Sequence, residues 1–262
     1  MRSAGTSAPY NPPDAFAGQH ALITGGGSGI GAACAKLLVA QGARVTITGR
    51  DEHKLAQTAE EIGTRWTAAD VTDEGAVHRA FEQVRKASGP ITILINNAGV
   101  ADACPFVRMS PDFWSHIIQV NLTGVFLCTR EVIRPMLDEG RGRIVNVASV
   151  ASLEGGAYIS AYSAAKHGVL GLTRSLAKEF AGKGVTVNAV CPAFVNTQIV
   201  TNAIENIVSK TGRSKHEALS EMLASAGQRR LLEPHEVAEV VIDLCQPTAS
   251  HKNGRAIRLP ED

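Results

Sequence analysis

The sequence has no cysteine pattern that would hold a metal or build a disulfide framework. Its five cysteines, Cys34, Cys104, Cys128, Cys191 and Cys245, are odd in number, widely spaced and free of any C-x-x-C. The eight histidines form no H-E-x-x-H. Reduced thiols, a cytoplasmic setting and no bound metal are therefore expected. Basic residues are scattered, with only short pairs such as Arg229/Arg230, and the formal charge is +1, so no nucleic-acid partner is expected. No apolar run is long enough to span a bilayer, so no membrane partner is expected either. The opening stretch is rich in Ser, Ala and Pro without a signal-peptide apolar core, and residues 1–15 read as a loose arm. Internal repeats and low-complexity segments are also lacking.

What is present is a steady alternation of two hydrophobic patterns. At 262 residues, with 44% hydrophobic and 19% charged, the chain can bury a substantial core, read here as one domain over 16–262. Short runs rich in Val and Ile lie at 21–24, 44–48, 65–69, 91–96, 143–148, 185–191 and 256–259. Helical patterns separate them at 30–41, 51–62, 73–87, 111–139, 160–181 and 234–245, several opening on Ser, Asp or Pro. The strand runs lack strict polar alternation, as strands covered on both faces do. The pattern predicts a doubly wound α/β fold with a parallel sheet. Residues 197–232 interrupt it with two amphipathic stretches and no strand between, where a substrate lid would sit.

Directly after the first strand run comes Thr24-Gly25-Gly26-Gly27-Ser28-Gly29-Ile30-Gly31, leading into a helix. Glycines allow a tight turn and let a pyrophosphate approach the helix N-terminus, whose free N–H groups favour negative charge. The spacing is not G-x-G-x-x-G, because Ile30 takes the last glycine's slot. Plain close packing is the competing reading of such a turn.

Further on, 93–100 reads as a buried strand ending in Asn96-Asn97-Ala98-Gly99. Asn96 is expected to tie neighbouring strands, while Ala98 and Gly99 leave room for a flat cofactor. Ser149 follows the strand run at 143–148, Tyr162 comes thirteen residues later, early in a helix, and Lys166 four beyond it. Residues at i and i+4 share a helix face. Reducing a ketone needs a proton donor for the developing alkoxide, and a tyrosine is a weak acid unaided. Bringing its pKa from about 10 to about 7 takes roughly 4 kcal/mol of phenolate stabilisation, which a nearby ammonium can supply. Ser149 would hydrogen-bond the substrate oxygen. Each residue alone has an ordinary surface or capping role; their order behind a phosphate-binding turn points to chemistry.

These motifs resemble the short-chain dehydrogenase/reductase family from His20 to Leu259. The family's Thr-Gly-x-x-x-Gly-x-Gly matches 24–31, its Asn-Asn-Ala-Gly matches 96–99, and its Ser and Tyr-x-x-x-Lys match Ser149, Tyr162 and Lys166. The resemblance implies a Rossmann-type fold and a fourth catalytic residue, Asn121, holding a water in a proton relay. It implies cofactor contacts from Gly25, Ser28, Gly29, Ile30, Gly31, Asn97, Ala98 and Gly99 as well as Tyr162 and Lys166. Asp70 and Val71 would bracket the adenine, and Val195 and Thr197 would meet the carboxamide of the nicotinamide. A homotetramer is implied, with the helices bearing Asn121 and Tyr162 across an interface. On its own residues, Asn121 reads as a helix kink or an interhelix hydrogen bond. A nucleotide-sensing regulator of the same fold is the alternative, against which the retained Ser149, Tyr162 and Lys166 argue.

At the end of the second strand Gly49 is followed by Arg50, where an acidic residue would grip the ribose hydroxyls of NAD. Arginine there accommodates a 2′-phosphate, so NADP(H) is favoured and NAD(H) is the alternative. The lid resembles that of 3-hydroxybutyrate and 3-hydroxyacyl dehydrogenases, but the Gln, His and Lys that hold a free carboxylate in the former are replaced by Ala101, Ala151 and Ile159. Val150, Leu153, Gly155, Gly156 and Ala157 suggest an open apolar pocket for a bulkier 3-oxo or 3-hydroxy acyl compound. Arg229 or Arg230 would be available to carrier phosphates, or would merely solvate the lid.

Overall fold

A computed structural model of the protein describes residues 14–260. The expected arm at 1–15 therefore falls almost wholly outside the described residues, as do Glu261 and Asp262.

Seven strands form one parallel sheet: β1 (His20–Thr24), β2 (Arg44–Gly49), β3 (Arg65–Ala68), β4 (Ile93–Asn96), β5 (Gly142–Val147), β6 (Val185–Pro192) and β7 (Ala256–Leu259). Their order is β3-β2-β1-β4-β5-β6-β7, so the chain reverses direction across the sheet between β1 and β4. That reversal opens a crevice beyond the carboxyl ends of those two strands.

Successive strand residues point to opposite faces, and both faces are covered. Ala21, Ile23, Ile93, Ile95 and Val145 join a core with α1 (Gly29–Ala40) and α9 (Pro234–Cys245). Leu22, Leu94 and Ile144 join a second core on the other side with α3 (Glu74–Ser88), α5 (Gly124–Asp138) and α6 (Ser160–Glu179). This double burial is why the central runs, such as Ile93-Leu94-Ile95, lack polar alternation. Further helices are α2 (Glu52–Ile62), α4 (Pro111–Ile118), α7 (Gln198–Thr211) and α8 (Lys215–Ser225). Asp51 and Asp73 cap α2 and α3 by accepting the amides of Lys54 and Ala76.

The single unbroken helix expected over 111–139 is corrected: a π-helical turn, Gln119–Thr123, separates α4 from α5. Helical periodicity does not register such a one-turn widening, which recurs at functional sites. Asn121 lies in it. The two helices of the 197–232 insertion also form, and their feet are pinned together. Gln228 accepts the Phe194 amide at 2.8 Å and donates to the Phe194 carbonyl at 3.1 Å, while Val195 bridges Leu232.

Candidate active site

The glycine turn after β1 is shaped by what surrounds it. Gly25 has φ of 64°, and a Cβ on it would lie 2.9 Å from Asn97 Nδ2. A Cβ on Gly31 would lie 2.5 Å from the Gly25 carbonyl oxygen. Asn97 clamps the turn by donating from Nδ2 to the Thr24 and Gly25 carbonyls, both at 3.0 Å. Thr24 Oγ1 accepts the amides of Asn97 and Ala98, each at 3.0 Å. Ser28 stands at the N-cap of α1 without using its side chain as a cap, and the first turn carries no acidic residue. Amides left without a side-chain cap at the start of α1, in a turn that Cβ atoms on Gly25 or Gly31 would disrupt, fit a pyrophosphate. The foot of the insertion borders this cradle: a Cβ on Gly29 would meet Thr197 Cγ2 at 3.1 Å. Ile30 packs on the core beneath, and Val195 is buried with it.

At the β2 end, Arg50 Nη1 lies 4.0 Å from Asp70 Oδ2, with both side chains substantially exposed. Partial burial raises the Asp70 pKa, but hydrogen bonds from the Thr72 amide and hydroxyl, together with Arg50, outweigh it and hold the carboxyl below its ordinary value. Val71 is buried against α5, where a Cβ on Gly124 would meet its Cγ2 at 2.8 Å.

The chemistry-bearing side chains gather at the carboxyl ends of β4 and β5. Ser149 caps a short 3-10 turn, Val150–Ser152, its Oγ accepting the Ala151 amide at 3.1 Å. Tyr162 is on the first turn of α6 and half-buried; burial pushes its pKa up, and a hydrogen bond with Ser149 pulls against that. Lys166 is buried, and loss of water pushes its pKa down to about 8. Its Nζ donates to the Val147 carbonyl at 2.9 Å and lies 5.7 Å from the centre of the Tyr162 ring. Burial governs both groups, raising the phenol and lowering the ammonium. Asn121 is fully buried and bonded to the Val100 backbone. A Cβ on Gly99 would lie 2.8 Å from Asn121 Oδ1 and 3.8 Å from Lys166 Nζ. Gly99, Asn121 and Lys166 therefore converge on one spot.

Asn96 does tie strands, donating to Asn146 Oδ1 at 2.8 Å and to Thr129 Oγ1 at 3.1 Å. The sequence motif includes Thr24 but not the lock its hydroxyl makes to β4, and it leaves out Tyr158, which has φ of 67° although it is not glycine. Such a conformation costs about 1–3 kcal/mol. Neither the lock nor the Tyr158 conformation is marked in the sequence, since both depend on distant partners. Arg230 forms a two-pronged bond with Glu236, at 2.6 and 2.7 Å, and so is already engaged. Among the described residues no cluster of His, Cys, Asp or Glu could hold a metal, and no helix is long and apolar enough to cross a membrane.

A short chain dehydrogenase family model matches residues 19–207. The chain is 36% identical over 244 residues to the 3-oxoacyl-[acyl-carrier-protein] reductase of Vibrio harveyi, covering 92% of this chain and 96% of that one. It is 44% identical over 187 residues to a 2-dehydro-3-deoxy-L-rhamnonate dehydrogenase (NAD(+)) of a Sphingomonas strain, covering 71% and 75%. A solved point variant of actinorhodin polyketide ketoreductase with NADPH superposes with a TM-score of 0.88 at 35% identity, covering 92% of this chain and 95% of that one. On motif, geometry and likeness together, the chain belongs to the short-chain dehydrogenase/reductase family of NAD(P)-dependent oxidoreductases.

Proposed function

We propose that the protein interconverts a ketone and a secondary alcohol, with Tyr162 as the proton donor and acceptor. The convergence of Tyr162, Ser149, Lys166 and Asn121 beside the glycine cradle carries this reading. Ser149 Oγ hydrogen-bonds the substrate oxygen, and Tyr162 Oη gives that oxygen its proton. Burial keeps the phenol protonated, the form that ketone reduction uses. Lys166 and Asn121 hold the water through which the phenol is re-protonated. Bound nicotinamide cofactor supplies or takes the hydride. Gly25, Ser28, Gly29, Ile30 and Gly31 would hold its pyrophosphate; Asn97, Ala98, Gly99, Val195 and Thr197 would line its nicotinamide half; Asp70 and Val71 would flank its adenine. Replacing Tyr162 with Phe tests the reading: carbonyl-dependent nicotinamide oxidation should fall by roughly 10²–10⁴-fold with cofactor binding kept. Parental turnover in that variant would refute it, and cofactor binding with no turnover of any carbonyl by the parent would favour the sensor alternative.

NADP(H) is the cofactor we favour. Arg50 stands exposed at the end of β2, and the adjacent Asp51 is occupied in capping α2, accepting the Lys54 amide at 3.0 Å. Neither offers a free carboxylate to ribose hydroxyls. NAD(H) is the alternative, the cofactor named for the rhamnonate dehydrogenase relative. Comparing kcat/KM for the two cofactors decides it, and a clear NADH preference refutes our choice.

The substrate class we favour is a bulky 3-oxo or 3-hydroxy acyl compound, because Ala101, Ala151 and Ile159 offer no anchor to a small free acid. Arg229, exposed at the insertion's second foot, is the arginine left for carrier phosphates. We read residues 197–232 as the lid within a domain over 16–262. A homotetramer accounts for the exposure of Trp114 and Phe126 on the helical segment that bears Asn121. The five free cysteines suit a reducing, cytoplasmic setting.

A further inference from the structure

Tyr158 is not used by the chemistry above, yet it is the one non-glycine residue with positive φ among the described residues. A bulky side chain in the left-handed region is an outlier, and an observed outlier of this kind is a warrant for asking what holds it there. It stands four residues before Tyr162, on the connection that begins with Ser149. Its carbonyl accepts the Cys104 amide at 2.8 Å. That bond joins the β5–α6 connection to the β4–α4 connection, so the two loops leaving the carboxyl ends of adjacent strands are fastened together beside the site.

The same two loops carry exposed apolar surface. Tyr158 is 65% exposed, and Phe106 and Val107, just after Cys104, are 75% and 92% exposed. Ile199, at the start of α7 and two residues from Thr197, is 44% exposed. Four of the seven large exposed hydrophobic residues among those described thus stand on segments leaving the carboxyl edge of the sheet. Tyrosine supplies large contact area at low conformational cost, with an apolar face and a polar tip.

We propose that Tyr158 is a specificity-determining residue whose ring, with Phe106 and Val107, covers the apolar body of a ketone held at Ser149 and Tyr162, selecting ring-bearing or extended ketones over small ones. The inference rests on the carbonyl chemistry proposed above. The fastening bond to Cys104 ties Tyr158 to the partner loop in a conformation that glycine would adopt more readily, which fits a side chain retained for contact with substrate.

The test compares Tyr158→Gly, Tyr158→Phe and the parent on 2-tetralone and 2-butanone, with each nicotinamide cofactor. Glycine adopts φ of 67° without strain, so Tyr158→Gly should unfold at no lower temperature than the parent. The ratio of kcat/KM for 2-tetralone over 2-butanone should fall about tenfold in Tyr158→Gly, mainly through KM. Tyr158→Phe should keep the parental ratio. An equal fall for both ketones, or an unmoved ratio, overturns the role of Tyr158 and leaves the carbonyl chemistry standing. A changed subunit association with an unmoved ratio assigns the ring to an interface and also overturns it. Failure of the parent to turn over either ketone overturns the reading of the site and this inference with it.

Discussion

The side-chain amide of Asn121 grips both backbone groups of Val100. Its Oδ1 accepts the Val100 amide at 3.2 Å, and its Nδ2 donates to the Val100 carbonyl at 2.9 Å and to the Ile117 carbonyl at 3.0 Å. The exit of β4 is thereby fastened to the π turn, and Gly99 is held beside Lys166. Asn121→Ala leaves these buried groups without their partner, at about 1–3 kcal/mol for each one left unsatisfied. The urea midpoint should drop accordingly, and Asn121→Asp, which cannot donate to either carbonyl, should be no better near neutral pH. Midpoints equal to the parent's would show that the clasp contributes nothing to stability.

Lys166 titrates at about 8 because it is buried. A lowered lysine pKa means that the folded state resists the proton the unfolded chain binds. The penalty is full below about pH 8 and lifts as pH climbs toward the ordinary value of 10.5. The stability of Lys166→Met relative to the parent should therefore be highest near pH 7 and should decline between pH 8 and 10. Activity should be lost in that variant at every pH. A stability difference that does not vary with pH would contradict the burial argument.

His20, fully buried at the start of β1, bonds the Gly89 carbonyl through Nδ1 at 3.1 Å and the Thr46 hydroxyl through Nε2 at 3.2 Å. Burial, helped by Arg44 and Arg65, lowers its pKa below 6.5. Unfolded chains gain a proton there as pH falls through 6.5, so the fold loses stability on the acid side. Denaturant midpoints measured from pH 7.5 to 5 should decline in the parent, and His20→Gln should flatten that decline. Parallel curves would assign the acid sensitivity to other groups.

Gly31 has no room for a side chain, since a Cβ would press within 2.5 Å of the Gly25 carbonyl oxygen and 2.6 Å of Asn97 Nδ2. Both neighbours are fastened, so the turn itself must shift. Gly31→Ala should cost about 1–3 kcal/mol, an overpacking penalty, and should weaken NADPH binding measured by fluorescence titration. Retention of parental affinity would show that the cradle is more pliant than its contacts imply.

Much of this architecture is legible in the residues themselves. Runs such as 93–96 are apolar over their first three positions because Leu94 faces one core and Ile93 and Ile95 the other. Capping by Asp51 and Asp73, and the spacing of Tyr162 and Lys166 on one helix face, are local relations of three or four residues. Asn121 reads from its own surroundings as a helix kink or an interhelix hydrogen bond; its bonds run instead to the Val100 backbone beyond β4 and to Ile117 in its own helical segment.

What a one-dimensional reading does not reach are relations closed by distant chain. The widened turn at Gln119–Thr123 contains the residue that bonds Val100, twenty-one positions away. Spacing puts Lys166 on the helix face of Tyr162, but it does not show that the Val147 carbonyl, nineteen positions away, holds the ammonium there. Arg230 reads as open to a ligand, and Glu236 has taken it. The sequence by itself determined the strands, the glycine turn and the order of Ser149, Tyr162 and Lys166, because periodicity and capping act within a helical turn or a strand. The tertiary structure alone decided which carbonyl Lys166 serves, what Asn121 holds and how Tyr158 is tied to Cys104, because those depend on strands and loops far apart in the chain meeting at one edge of the sheet.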